Sequence, residues 1–336
     1  MTTGRTTIAA AKGAFLPRHV SQDQVVLAVT VVLVLFFSLF LTGFASTGNL
    51  LTLARNVSVL GILSLGMAIV VIARGLDLSQ IVSMAVGPAF AMNLAGAGMP
   101  LGLALAAGLG LVVCLGVFNG LAIAFLEIPA LFTTLASGFL AYGLARLTIL
   151  NGFIAYVPPG HDGFVFLGQG AVFGVPMPIV IFAAVALLVH LLMSRTSIGR
   201  FIYAHGDSAA TASLSGIPVR PLTLLEYMLC AAIAFVAGLV AAASTSNVNT
   251  QVISSTLIFD VILVVVLGGI SLSGGRGSVW SVVVGTALIG TLLNGMTIRN
   301  MDGTLQNIVK GLVLLAAILI DNRLHPRDEE TARQGE

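Results

Sequence analysis

The chain has 336 residues, of which 57% are hydrophobic and only 8% are charged, and its formal net charge is +2. A soluble domain averages about 25% charged residues, so 15 Lys and Arg with 13 Asp and Glu are too few to cover a water-soluble globule of this length. The mean hydropathy of +1.07 instead predicts an all-α polytopic membrane protein surrounded by lipid.

The predicted helices begin after a basic N-terminal segment, residues 1–24. The first apolar run, 25–44, is longer than the roughly 7 to 15 residues of a signal-peptide core, so we expect an uncleaved helix. Nine more helices are predicted from the lengths of the apolar runs and from the Gly, Pro and charged residues that interrupt them. They lie at 51–73, 79–97, 101–125, 130–150, 176–193, 222–244, 256–270, 278–298 and 305–320. The short eighth span, 256–270, is also compatible with a half-helix that re-enters from one side.

These ten transmembrane helices form one predicted membrane domain, 25–321, followed by a C-terminal tail, 322–336. An even number of crossings places both termini on the same side. Of the 15 basic residues, only Arg55, Arg146, Arg299 and Lys310 fall on the opposite side. Because Lys and Arg concentrate in cytoplasmic loops, we expect both termini in the cytoplasm. The eleven basic residues on that side are Arg5, Lys12, Arg18, Arg74, Arg195, Arg200, Arg220, Arg276, Arg323, Arg327 and Arg333.

Two loops are long enough to carry a function. The external loop, 151–175, is rich in Gly, Pro and aromatic residues. It covers the outer mouth, meets an external partner, or serves only as a solvated connector. The cytoplasmic loop, 194–221, is the longest internal loop between predicted spans.

No pattern of catalytic, metal-binding or nucleotide-binding residues is present. The five histidines are dispersed along the chain, which argues against a metal cluster. The turn Gly274-Gly275-Arg276-Gly277 lacks the spacing and the lysine of a phosphate-binding loop. The scattered basic residues form no stripe or arm for nucleic acid. We therefore expect a chain that is not an enzyme and binds no cofactor or metal of its own.

Ionisable residues inside spans are the usual sign of function in a membrane. The candidates are Arg146, Glu226, Asp260 and Lys310. A carrier driven by an ion gradient needs a carboxylate near the midplane, and only Asp260 is a fair candidate for that role. So few ionisable residues inside the spans indicate that transport is not driven by an ion gradient and that its energy comes from another source.

Polar residues near helix ends and inside spans are candidates for a translocation path or gate. In the segment 75–79, Asp77 or Ser79 can cap the next helix, and Gly75 allows a break in the backbone. Asn56, Asn93 and Asn294 can line a hydrated path or tie helices together by hydrogen bonds. The spacing Gly116-x-x-x-Gly120 predicts close helix packing.

Several segments occur in a fixed order along residues 45–322: 73–79 (ARGLDLS), 126–135 (LEIPALFTTL), 203–217, 267–278 (LGGISLSGGRGS), Asn294-Gly295 and Val309-Lys310-Gly311. Together they resemble the permease subunits of bacterial ABC importers of the ribose, xylose, arabinose and galactoside type. The resemblance implies an inner-membrane dimer of permeases, homomeric or heteromeric. It also implies ATPase subunits that carry ATP and Mg on separate chains, and a periplasmic binding protein that delivers a sugar or polyol.

The same resemblance implies a short coupling helix within about 205–217 that docks on the ATPase. The candidate coupling residues are Gly206, Asp207, Ala210, Ala212, Leu214, Ser215 and Gly216, together with Arg276 in the glycine-rich turn, which contacts the ATPase or only shapes that turn. Two adjacent acids and a later basic residue common in the family are replaced here by Ala209, Ala210 and Ser213. Docking would then depend on shape, on Leu214 and on Asp207.

The main hypothesis is thus an ATP-driven import permease for a sugar-like solute. The alternative is a gradient-driven secondary transporter of a small polar solute. A membrane-embedded enzyme or receptor has little support, because neither a catalytic constellation nor a large soluble domain is evident.

Overall fold

The computed structural model of the protein describes residues 22–150 and 152–324. The predicted terminal segments, 1–24 and 322–336, lie outside these residues except where they enter the first and last helices. Within the described part, the chain forms helices α1 (Gln22–Phe40), α2 (Thr47–Ile72), α3 (Gln80–Gly96), α4 (Leu101–Leu126), α5 (Ala130–Thr148), α6 (Asp162–Gln169), α7 (Met177–Arg195), α8 (Ser197–Asp207), α9 (Ala209–Leu214), α10 (Val219–Thr245), α11 (Leu257–Gly268), α12 (Val279–Ile298) and α13 (Gly303–Leu324).

A helix covers each of the ten predicted spans, but the boundary between the first two is wrong in the prediction. Helix α1 ends at Phe40 and not at residue 44, since the chain turns at Gly43, whose φ is +86°. Helix α2 begins at Thr47 and not at residue 51, because the Ser46 side chain accepts a hydrogen bond from the Asn49 N–H at 3.3 Å. A local cap therefore starts α2 within a stretch that the apolar pattern assigned to a loop.

Six of the helices are long and apolar enough to cross a bilayer, judged by length and composition among the described residues. They are α2, α4, α5, α7, α10 and α12. The described parts of α1, α11 and α13 are shorter apolar helices. The fold is thus that of a polytopic helical membrane protein.

Helix α2 lies at the centre of the bundle. In its most apolar 18-residue stretch 78% of the residues are buried, against 17% for α7. The core around α2 includes Ile62, Leu65, Ile69, Val264 and Val265, all at most 1% exposed. Helix α7 instead exposes Leu187 and Leu188, which places an apolar face toward lipid.

Helices α4 and α10 approach closely through glycine, as the spacing Gly116-x-x-x-Gly120 predicts. A Cβ added to Gly116 would lie 2.7 Å from the carbonyl oxygen of Tyr227, and one added to Gly120 would lie 2.6 Å from Cα of Leu224. The prediction of close packing is confirmed, since any side chain at these positions would push the two backbones apart.

The predicted external loop is an ordered layer. Strand β1 (Ile154–Tyr156) pairs antiparallel with β4 (Asn247–Asn249), and β2 (Ala171–Val172) pairs with β3 (Val175–Pro176). Helix α6 packs on α10, with Gly168 against the backbone of Ser244. A 3-10 helix (Thr250–Ser254) follows β4. Short strands therefore tie the loop between α5 and α7 to the loop between α10 and α11.

Candidate functional site

The predicted cytoplasmic loop contains α8 and the six-residue helix α9. The Ser208 hydroxyl caps α9 by accepting from the Thr211 N–H at 3.2 Å. After α9 the Ile217 N–H donates to the Ala212 carbonyl at 3.0 Å, and Gly216 takes a left-handed φ of +82°. A capping serine and a glycine in this conformation limit a helix to this short segment.

Helix α9 is attached to the protein by one buried residue. Ala212 is 3% exposed, whereas Leu214 is 91% exposed. Among the other predicted coupling residues, Asp207, Ala210, Ser215 and Gly216 are exposed and Gly206 is buried. An uncharged helix that projects a leucine into solvent has the surface expected of an element that enters an apolar groove of another protein.

The end of α8 contacts the end of α2 and the glycine-rich turn, residues 269–277. A Cβ on Gly206 would overlap the carbonyl oxygen of Ile72. The same carbonyl accepts a hydrogen bond from the Gly275 N–H at 2.8 Å. Three segments that are distant in sequence therefore meet at one backbone oxygen, and Gly206 has a packing role there.

Two further contacts fix α8. The Tyr203 hydroxyl donates to the Gly277 carbonyl at 2.8 Å, and burial raises the pKa of that hydroxyl above its ordinary value. His205 Nδ1 lies 3.1 Å from Glu226 Oε1, and the Glu226 side chain is 1% exposed. Helix α8 is thereby joined to the glycine-rich turn and to α10.

Arg276 is exposed in the glycine-rich turn. Gly274, Gly275 and Gly277 have φ values of +82°, +70° and +135°. These left-handed conformations explain the glycine cluster, because other residues adopt them only with strain. The glycines are thus required by the turn itself.

A cavity of about 520 Å³ lies beside α9. Its walls come from the segment after α2, the turn between α4 and α5, α9 and α10, and its polar lining residues include Glu127, His205, Arg220, Glu226 and Tyr227. Arg220 and Glu127 form an exposed ion pair at 3.5 Å. This cavity was not predicted. The only feature of the sequence that pointed to it was an ionisable residue, Glu226, inside a predicted span.

Asp77 and Ser79 belong to a buried hydrogen-bond network. Asp77 Oδ1 accepts from the Ser79 N–H at 3.0 Å and from its hydroxyl at 2.6 Å. The Ser79 hydroxyl accepts from Asn119 Nδ2 at 2.8 Å. Burial raises the pKa of the Asp77 carboxyl, and hydrogen bonds from Ser79 oppose that shift. The Ser79 side chain makes no cap hydrogen bond to α3, whereas Asp77 accepts from the N–H of Ser79, the residue at which that helix begins.

The asparagines proposed for the path lie apart from this network. Asn294 and Asn49 exchange two hydrogen bonds at 3.0 Å, which tie α12 to α2. Asn93 Nδ2 donates to the Ile149 carbonyl at 3.1 Å, which ties α3 to the end of α5. Asn56 is exposed on α2. Of the predicted path residues, the structure brings together only Asp77 and Ser79.

Asp260 has a cationic partner. Lys310 Nζ on α13 lies 2.9 Å from Asp260 Oδ1 on α11, and the two side chains are 12% and 11% exposed. Lys310 also donates to the Thr256 hydroxyl at 3.0 Å. Sequence analysis found both residues but not the pair, since nothing local in the sequence relates one to the other.

Residues 49–318 match a family model described as a permease component of the branched-chain amino acid transport system. The chain is 32% identical to the ribose import permease protein of Escherichia coli K12 over 302 residues, which cover 90% of this chain and 94% of the relative. It is 34% identical to the L-arabinose transport system permease protein of the same strain over 316 residues, 93% and 94% of the two chains.

A third relative, the galactofuranose transporter permease protein of Escherichia coli K12, is 28% identical over 308 residues, which cover 92% of this chain and 89% of the relative. No solved structure matches the chain significantly. The similarity therefore extends over nearly the whole chain and includes each element of the site.

Proposed function

The chain belongs to the family of branched-chain amino acid transport system permease components, and from this premise we propose that it is the membrane-spanning subunit of an ATP-driven importer. The observation that carries the proposal is the match to import permeases along about nine-tenths of the chain. Its place is the bacterial inner membrane, where it is a multi-pass protein in contact with lipid.

The proposed topology has ten crossings with both termini in the cytoplasm. It rests on the charge distribution along the helices. Arg74, Arg195, Arg200, Arg220 and Arg276 lie at the ends of helices or in connections that this topology places inside the cell. On the same face are α8, α9 and the glycine-rich turn.

Energy is supplied by a separate ATPase subunit that binds ATP and Mg. Helix α9 docks on this subunit, with Leu214 as the apolar contact and Ala210, Ser215 and Asp207 around it. Gly206 and Ala212 position α9 from behind, and Arg276 lies in the neighbouring turn. This chain itself contributes motion and a path, without ATP hydrolysis of its own.

The solute is a sugar or a polyol that a periplasmic binding protein delivers. Three relatives are named for ribose, L-arabinose and galactofuranose, whereas the family description names branched-chain amino acids. A second permease copy completes the assembly. Asp77 and Ser79 are proposed as gate residues near the inner end of the path, with Asn56, Asn93 and Asn294 as further candidates.

The test is uptake by proteoliposomes that contain this chain with the ATPase and binding protein encoded beside it. ATP enclosed with the ATPase domains should drive accumulation of labelled ribose, arabinose or galactose, with leucine as the competing solute class. Uptake that needs an ion gradient and no ATPase would establish the secondary transporter instead. In that case Asp260, the candidate carboxylate, would carry the coupling, and Asp260→Asn should abolish uptake.

A further inference from the structure

One side chain, that of Arg74, joins three segments on the proposed cytoplasmic face. Arg74 follows α2, and its Nε donates to the Ser273 carbonyl at 2.6 Å. Its Nη2 donates to the Asp207 carbonyl at the end of α8, also at 2.6 Å. Ser273 is 199 residues away in sequence and Asp207 is 133 residues away. The guanidinium donates in two directions at once, which a lysine ammonium does not do with the same fixed geometry.

The backbone around Arg74 is shaped for this contact. Arg74 has a φ of +66°, a left-handed conformation that is strained for a residue with a side chain. A Cβ on Gly274 would overlap Cγ of Arg74, and one on Gly206 would overlap the Ile72 carbonyl. Glycine at position 274 leaves room for the Arg74 side chain, and glycine at position 206 leaves room for the backbone at the end of α2. An arginine in a conformation that favours glycine, with its side chain packed against Gly274, indicates that the side chain has a role that glycine would not fill.

The three segments differ in what they are attached to. Asp207 is the last residue of α8, and only Ser208 separates it from α9, the exposed helix. Arg74 directly follows α2, the most enclosed of the six long apolar helices. Ser273 lies in the turn between α11 and α12, both of which pack on α2. The Arg74 side chain therefore joins the end of α8, next to α9, to the end of α2 and to the turn between α11 and α12, in addition to the backbone contacts at the Ile72 carbonyl.

We propose that Arg74 is a positioning residue for energy coupling: it transmits movement of α9 to α2 and to the turn between α11 and α12. This inference rests on the proposed function. Its alternative is a tie that only stabilises the fold. The two differ in one measurable quantity, the amount of solute carried for each ATP hydrolysed.

The experiment compares the complete importer carrying Arg74→Gln or Arg74→Lys with wild type in proteoliposomes. We expect the solute carried per ATP to fall by about tenfold, while ATPase co-purification stays at the wild-type level. The matched control is Arg200→Gln. Arg200 is an exposed arginine on α8 whose Nη2 donates to Ser197 within the same helix, so its loss removes equal charge without separating any segments.

Arg74→Gly distinguishes the loss of the side chain from an effect of backbone strain, because glycine adopts a φ of +66° without strain. We expect this variant to be as thermostable as wild type and still uncoupled. Wild-type solute per ATP in the Arg74 variants, with or without a lower melting temperature, would overturn the proposal. If wild type itself shows no ATP-dependent uptake, the proposed function fails and not merely the role of Arg74.

Discussion

At the residue scale, the glycines of the site matter because they have no side chain and so allow backbone segments to approach closely. Gly206 allows the end of α8 to rest on the Ile72 carbonyl, and that contact brings the Gly275 N–H into hydrogen-bond range of the same oxygen. Backbone contacts of this kind leave no mark in hydropathy or charge. The sequence showed Gly206 only through the family resemblance, as one member of a coupling segment.

We expect Gly206→Ala to destabilise the protein by about 1–3 kcal/mol, because the added methyl group must displace the end of α2 or of α8. Thermal unfolding in detergent, followed by fluorescence, measures the change. The control is Gly163→Ala, since a Cβ at Gly163 meets open space. Equal melting temperatures for the two variants would show that the contact at Gly206 carries no stability.

At the element scale, α11 is a short helix held from outside by α13. It has twelve residues, fewer than the roughly 20 of a helix that spans the bilayer alone, so the proposed crossing at this position is not helical over its full depth. Lys310 of α13 contacts Asp260 in the first turn of α11 and Thr256 at its N-terminal end. The eighth apolar stretch, 256–270, predicted a span, with a half-helix left open as the alternative. The support from α13 was not predicted, because the two partners lie 50 residues apart and nothing local to either identifies the other.

The ion pair predicts how single and double substitutions change the stability of the protein. Asp260→Asn and Lys310→Met should each cost about 3–5 kcal/mol, because each leaves an uncompensated charge in an apolar setting. The double variant should recover much of that loss. Melting temperatures of the four proteins in nanodiscs form the double-mutant cycle, and additive losses would mean that the two residues do not interact.

Helix α9 was expected from the family resemblance, which implied a short helix within about 205–217 and a terminal Gly216; its capping residue, Ser208, was not predicted. Leu214→Asn should weaken association with the ATPase by roughly 5- to 30-fold, or about 1–2 kcal/mol, if Leu214 fills a pocket on the partner. Co-purification at graded salt and detergent measures it. The control, Ser213→Ala, changes an exposed neighbour and should leave association intact. Weaker association of Ser213→Ala together with unchanged association of Leu214→Asn would show that Leu214 is not the contact residue.

At the scale of the whole molecule, apolar length was enough to locate the long helices, because lipid imposes that length on any spanning segment. The ordered outer layer was missed, since strands of two or three residues have no readable alternation. The buried network of Asp77, Ser79 and Asn119 was also missed as a unit: each residue was visible, but the packing of α3 on α4 decides that they meet.

The proposed orientation predicts which thiols an impermeant reagent reaches. Phe173 at the tip of the outer hairpin is fully exposed, and Leu214 is 91% exposed on α9. With the exposed Cys114 replaced by serine, Phe173→Cys should label in intact spheroplasts and Leu214→Cys only after lysis. Labelling in the reverse order would invert the topology.

The enclosed position of α2 has a consequence for biogenesis. Helices α10, α11 and α12, which pack around it, are all synthesised after it. Until those helices are made, α2 lacks these contacts, and its mean hydropathy of 1.9 in its most apolar stretch is compatible with a lipid environment at that stage. The protein contacts of α2 therefore form only when the later helices pack against it. Folding of this molecule ends with protein contacts forming around a helix that was made early.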